Sequence, residues 1–203
     1  MKREFLVGRN WLAGVLLLMA ISGCAATRPA VDNISTVGAQ EVIVVGRIEL
    51  TPTLTDADQI LQGIGSGRYK NKVFVITDEE WQVRHEPLGP GDDFFEATLG
   101  QNFYIKGSNK PFYFLTGVIY TEVWSNGSMR NVNLPGGVKI ELRSNDKAVY
   151  VGTIRYTRNE YFDITRAEID DDYDRANAAF KKKFGVKYNL RKALAAPIKV
   201  NKG

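Results

Sequence analysis

The chain has 203 residues, 44% hydrophobic and 25% charged, with 19 Gly and 7 Pro, values near the globular average that exclude a disordered, collagen-like or coiled-coil chain. Half of the formal net charge of +4 comes from Lys2, Arg3 and Arg9 against Glu4, so the remainder carries no nucleic-acid footprint. A single Cys excludes an internal disulfide and any multi-cysteine metal site, and a single His excludes a His-rich metal centre.

Residues 1–10 are short and net positive, Trp11 to Ile21 form an apolar run, and Ser22-Gly23-Cys24-Ala25-Ala26 are small. Eleven residues make roughly 16 Å of helix against a hydrocarbon core of about 30 Å, too short for a permanent span. The run has no polar face, which argues against a buried amphipathic helix. Cationic start, short apolar middle and small-residue exit predict a secretory signal peptide over residues 1–23. Ile21-Ser22-Gly23-Cys24 resembles the lipobox of bacterial lipoproteins, an aliphatic residue and two small residues before the lipidated cysteine, and the sole Cys of the chain occupies that place. The resemblance implies a diacylglycerol thioether on Cys24, cleavage before it, and acylation of the new amino group. One myristoyl-sized chain binds a membrane only marginally, at about 10⁴ M⁻¹, whereas two or more hold stably. Ala25 in place of an acidic residue implies an outer-membrane destination, with the domain facing the periplasm.

Residues 24–40, small and polar around Pro29 and Gly38, are expected to form a lipidated N-terminus and flexible tether. Residues 41–203 are expected to fold as one domain. The β-branched Val42-Ile43-Val44-Val45 predicts a strand buried on both faces, running on to Leu50. Thr55 to Gln59 opens a short helical patch with a hydroxyl cap and early carboxylates, closed by Gly63, Gly65 and Gly67. Lys72–Thr77 and Trp81–Arg84 read as strands. Phe112–Trp124 and Met129–Leu134 form a hairpin about Asn126-Gly127, and Pro135-Gly136-Gly137 turns again. Val138–Leu142 is expected to pair with Ala148–Tyr156, where the alternation is imperfect, and Tyr161–Ile169 supplies one more strand.

Short strands at close spacing, with no βα rhythm, predict a mainly β fold: an antiparallel β-sandwich of transthyretin or immunoglobulin type. Acids at 170–174, Lys181-Lys182-Lys183 and then Gly185 predict a short C-terminal helix. Its apolar stripe is Tyr173, Ala176, Phe180 and Phe184. The basic tail from Val186 is expected to fray. Leu134-Pro135-Gly136-Gly137, Tyr150-Val151-Gly152-Thr153-Ile154 and Asp171-Asp172-Tyr173 are similar to periplasmic β-sandwich lipoproteins of uncharacterised function. That resemblance supplies no catalytic residue.

The candidate chemical sites each have a plainer reading. Asp170, Asp172 and Asp174 imitate the opening of a calcium loop, but Arg175 and Lys181 stand where an EF-hand wants Gly and Glu; carboxylates at a helix start explain the cluster. Gly63, Gly65 and Gly67 lack the third glycine and the preceding strand of a dinucleotide cradle. His85 has a suitable pKa for a general base, yet no Gly-x-Ser-x-Gly elbow accompanies it. The rings of Phe94-Phe95, Phe103-Tyr104 and Phe112-Tyr113-Phe114 are expected to alternate between core and outer face, the outer ones packed under another element or open to a partner. Lys181–Lys183 and Arg191-Lys192 offer contacts to anionic headgroups or a solvated helix end. No cofactor and no metal is expected. The leading expectation is a lipid-anchored, non-enzymatic envelope module that binds a protein or polymer partner and no nucleic acid. The alternatives are an envelope glycan or lipid hydrolase using Asp/Glu or His85, and a surface-displayed adhesin-like module.

Overall fold

A computed structural model describes residues 27–56, 58, 69–83, 92–108, 110–123 and 129–198, the side chains of 121–123, 129 and 130 excepted. Among them, ten strands form two sheets and one α-helix lies outside: β1 (Glu41–Thr51), β2 (Lys72–Asp78), β3 (Asp93–Thr98), β4 (Asn102–Ser108), β5 (Phe112–Val123), β6 (Met129–Ile140), β7 (Ala148–Arg158), β8 (Ile164–Asp170), α1 (Tyr173–Phe184), β9 (Arg191–Lys192) and β10 (Ala196–Pro197). The first sheet runs β4-β1-β7-β8 with β9 also on β7, and the second runs β10-β6-β5-β2-β3. Neither closes into a barrel, and the two stack as a sandwich.

The β-branched run of β1 has the predicted double burial. Val42 and Val44 enter the core between the sheets with Phe95, Phe103, Phe114 and Ile140. Ile43 and Val45 point the other way, under Ala176, Phe180 and Phe184 of α1. A strand covered on both faces has no use for a polar alternate residue. The predicted stripe of α1 is the buried one: Ala176 and Phe180 are fully covered, Phe184 nearly so, and Tyr173 packs at its margin.

Several local expectations are corrected. The sheets are not wholly antiparallel, because β1 and β9 both pair with β7 in parallel. Val138–Leu142 does not pair with β7; β6 stays in the second sheet against β5 and β10, and the chain crosses between sheets at residues 141–147. Pro135-Gly136-Gly137 is a bulge inside β6 and not a turn: Phe114 faces Val138 while Thr116 faces Pro135, leaving two residues of β6 opposite Leu115. Residues 81–83 are not a strand. Asp78 accepts bonds from the Glu80 amide (3.0 Å) and from Gln82 Nε2 (2.9 Å), a turn that ends β2. Residues 161–163 belong to the turn before β8, where Asn159 Oδ1 accepts from the amides of Tyr161 and Asp163.

The described parts of both terminal regions, from residue 27 and as far as residue 198, are fastened to the body, where a tether was expected over 24–40 and a frayed tail from Val186. Val31 is 1% exposed and Leu190 is 3% exposed. After β9, the amides of Ala193 and Ala195 donate to Tyr150 and Val151 of the first sheet (2.9 and 2.8 Å), and that of Ile198 donates to Gly137 of the second (2.7 Å). The tail thus laces the two sheets along their β7/β6 side.

Candidate functional site

Cys24 and its neighbours Ile21, Ser22 and Gly23 lie outside the described residues, as do His85, the glycine series at 63–67 and the Asn126-Gly127 turn. Thr55 and Asp58 are described and exchange bonds reciprocally, Thr55 amide to Asp58 Oδ2 (2.8 Å) and Asp58 amide to Thr55 Oγ1 (3.2 Å), as in a capping box; the rest of the helical patch expected there lies outside the described residues.

The segment that follows Cys24 enters the structure as a strap. Residues 27–31 run along the side of the sandwich where edge strand β3 of one sheet meets edge strand β4 of the other. Thr27 bridges Phe94 of β3 in parallel and Ala30 bridges Ile105 of β4 in antiparallel. The Arg28 amide donates to Phe94 O and the Val31 amide to Tyr104 O, both at 2.7 Å. Unpaired strand edges are a template for aggregation, and the strap covers two of them at once. Arg28 bolts it down: Nε donates to Thr77 Oγ1 of β2 at 2.8 Å, Nη2 lies 3.8 Å from Asp93, and the guanidinium sits 5.0 Å from the Phe112 ring centre. This anchor was not legible in the sequence, because a lone Arg before Pro29 in a small, polar stretch carries the composition of a linker.

Beside the strap opens a cavity of about 440 Å³ lined by Arg28, Glu41, Glu79, Asp93, Lys106 and Ser108 among others. Its charges are paired. Lys106 lies 3.1 Å from Glu41 and Lys110 lies 3.1 Å from Glu79. The Gly38 amide and Lys106 hold the Glu41 carboxyl below its ordinary range. Lys110 and the Ser108 hydroxyl do the same for Glu79. This strap end of the sandwich also carries the 141–147 crossover. There burial pushes Asp146 upward, but the Arg191 fork, the Arg143 amide and their charges outweigh it and leave the carboxyl lowered.

The opposite end has a second cavity of about 360 Å³, between Glu49, Leu50, Thr51, Thr53, Leu54, Asn71, Leu99 and Gly100. Glu49 is not free in it: Arg155 donates to its Oε2 from Nε and Nη2, at 3.3 and 3.1 Å.

The aspartates before α1 go to separate partners. Asp170 pairs with Arg155, Asp171 with Lys192 at 2.8 Å, and Asp172 accepts from Thr153 Oγ1 at 3.2 Å. No group of three or more His, Cys, Asp or Glu able to hold a metal occurs among the described residues. Arg191 and Lys192, expected as headgroup contacts, are paired with Asp146 and Asp171. The carboxylates with a clear shift, Glu41, Asp56, Glu79, Asp146 and Asp171, are all lowered.

The aromatic pairs divide as alternation requires. Phe95, Phe103, Phe112 and Phe114 are buried. Of their neighbours, Tyr104 lies edge-on to Phe184 of α1 (5.4 Å), Tyr113 meets Trp81 (6.1 Å) and Phe94 meets Phe74 (6.2 Å). Phe94, Tyr104 and Tyr113 are each half-buried against another ring. Among the described residues no helix is long and apolar enough to cross a membrane. Comparison with family models, curated proteins and solved structures finds no match.

Proposed function

We propose that this chain is a lipid-anchored lipoprotein of the bacterial cell envelope, destined for the outer membrane, whose β-sandwich is a non-enzymatic binding or structural module for an envelope protein or polymer. The observation that carries the reading is the position of the one cysteine, Cys24, at the end of a short apolar leader and behind Ile21-Ser22-Gly23. Glu41, Glu79 and Asp146, which line or flank the strap end, are held in structural ion pairs, as a binding or structural module would have them. This reading puts the partner at the cavity lined by Glu49, Leu50, Asn71 and Leu99, on the end away from the strap.

Metabolic labelling with a fatty acid tests the anchor. The native protein is expected to take up label and sediment with membranes, and Cys24→Ala to take up none and remain soluble. Equal label on both overturns the reading. Protease treatment of intact cells then separates a periplasmic module, which is protected, from a surface-displayed one.

A further inference from the structure

The docked strap fixes more than the edge it covers. It runs parallel to β3 from Phe94 and antiparallel to β4 toward Tyr104, so the chain preceding Thr27 leaves the body at one defined end of the sandwich. The same end carries the start of β1, where Glu41 faces Ser108, and the 141–147 crossover into β7. The other end carries the close of β7 and the turn at 159–163. Eleven residues of β7 at about 3.3 Å each separate the two ends by roughly 35 Å.

Cys24 is three residues before Thr27, a reach of at most about 11 Å even when fully extended. An acylated cysteine sits at the boundary between acyl chains and headgroups, and the polar layer of one leaflet is itself about 5–8 Å thick. Only about 3–6 Å of reach remains beyond that layer, far less than the body would need to turn over. Resting on the lipidation reading above, we infer that the strap end of the sandwich lies against the phospholipid headgroups of the anchoring membrane, and that the end bearing the 159–163 turn and the smaller cavity points away from it. The chemistry of the strap end suits that neighbour. Arg28, Lys106 and Lys110 are interleaved with Asp93, Glu41 and Glu79 as ion pairs, so the end presents no block of carboxylates for anionic lipid to repel. Residues 27–40 therefore act as a rigid mount: the membrane, and not a flexible leash, sets which face a partner meets.

The sole native cysteine is consumed by lipid in this reading, so an introduced cysteine is a unique labelling site. Ser144, exposed in the crossover at the strap end, and Glu160, exposed in the turn at the far end, supply the two positions. Ser144→Cys and Glu160→Cys are purified as lipidated full chains, labelled with a fluorophore, and reconstituted into phosphatidylethanolamine–phosphatidylglycerol vesicles containing a headgroup-nitroxide lipid. With the ends about 35 Å apart, the label at 144 is expected to be quenched about threefold or more relative to the label at 160. A Gly/Ser insert of about 12 residues between Ala26 and Thr27, roughly 19 Å in r.m.s. length, is expected to abolish the contrast. Equal quenching at both positions, stronger quenching at 160, or a contrast that survives the insert overturns the orientation while vesicle flotation still shows the anchor intact. Protein that does not float with vesicles, and whose intact mass lacks acyl groups, overturns the anchoring reading and the orientation with it.

Discussion

Gly136 and Gly152 show how single residues bend this fold. A Cβ on Gly136 would overlap the Leu115 carbonyl group, so any side chain must push two backbones of the same sheet apart. Gly136→Ala is expected to cost about 3 kcal/mol or more, in the range kept for backbone strain and broken packing, read as a shift in denaturation midpoint without change of slope. Gly152 holds φ at +105°, and its Cβ would meet Ile169 at 2.7 Å. It is the extra residue opposite β1, where pairing moves from Val45–Tyr150 to Arg47–Thr153. Inward residues change parity there, from Val149 and Val151 before the glycine to Ile154 and Tyr156 after it. The imperfect alternation of residues 148–158 in the sequence was this bulge. Alternation alone could not distinguish a bulge from a poor strand, and Pro135-Gly136-Gly137 passed for a turn for the same reason: both uses of glycine share one local signature.

At the scale of elements, α1 was legible because every signal for it is local: acids before it, lysines in its last turn, glycine after it, and a stripe at helical spacing. The strap and tail were not legible. Each is held by backbone pairing and by a few distant side chains, such as Arg28 on Thr77 or Tyr173 donating to Leu190 O at 2.6 Å, and neither has an apolar period long enough to read. The pairing of β6 with β5 was legible as a hairpin, but the step from β6 to β7 was not, because the short segment 141–147 is compatible with a hairpin or with a crossing between sheets, and sequence spacing is the same in both. The helix is nonetheless more than a cover. Phe180 is fully buried against the outer face of the first sheet, its ring 5.0 Å from that of Phe184. Phe180→Ala is expected to cost about 3–5 kcal/mol as lost transfer energy and a cavity, measured by chemical denaturation. A loss under 1 kcal/mol would mean that α1 contributes little to holding the first sheet.

Among the described residues, all the clearly lowered carboxylates but Asp56 lie where the two terminal regions are fastened. Glu41 lies beside the strap and Glu79 beside Arg28, while Asp146 and Asp171 hold the tail through Arg191 and Lys192. A carboxylate whose folded pKa is depressed contributes stability above its unfolded pKa, and that contribution is lost as pH falls through the folded value. The ends are therefore expected to loosen below about pH 4 before the apolar core does. Amide-exchange protection factors check this. Those of Arg28, Val31, Ala193, Ala195 and Ile198 are expected to drop between pH 6 and pH 3, while those in the middle of β1 and β7 hold; a uniform drop would mean that acid acts on the body as a whole.

The parallel pairing of β1 with β7 has a consequence for how the chain matures. Ile43 finds Ala148 as its neighbour only after most of the polypeptide has been made, and contacts so remote in sequence are slow to form. Until then the aliphatic run of β1 has one open side and nothing local to shield it, a state prone to sticking to other chains. The interval between synthesis of the first strand and arrival of the seventh is thus the stage at which the chain is expected to be most exposed to aggregation. A chaperone that holds the chain open during that interval is expected to raise its yield more than strengthening any one contact in the finished molecule.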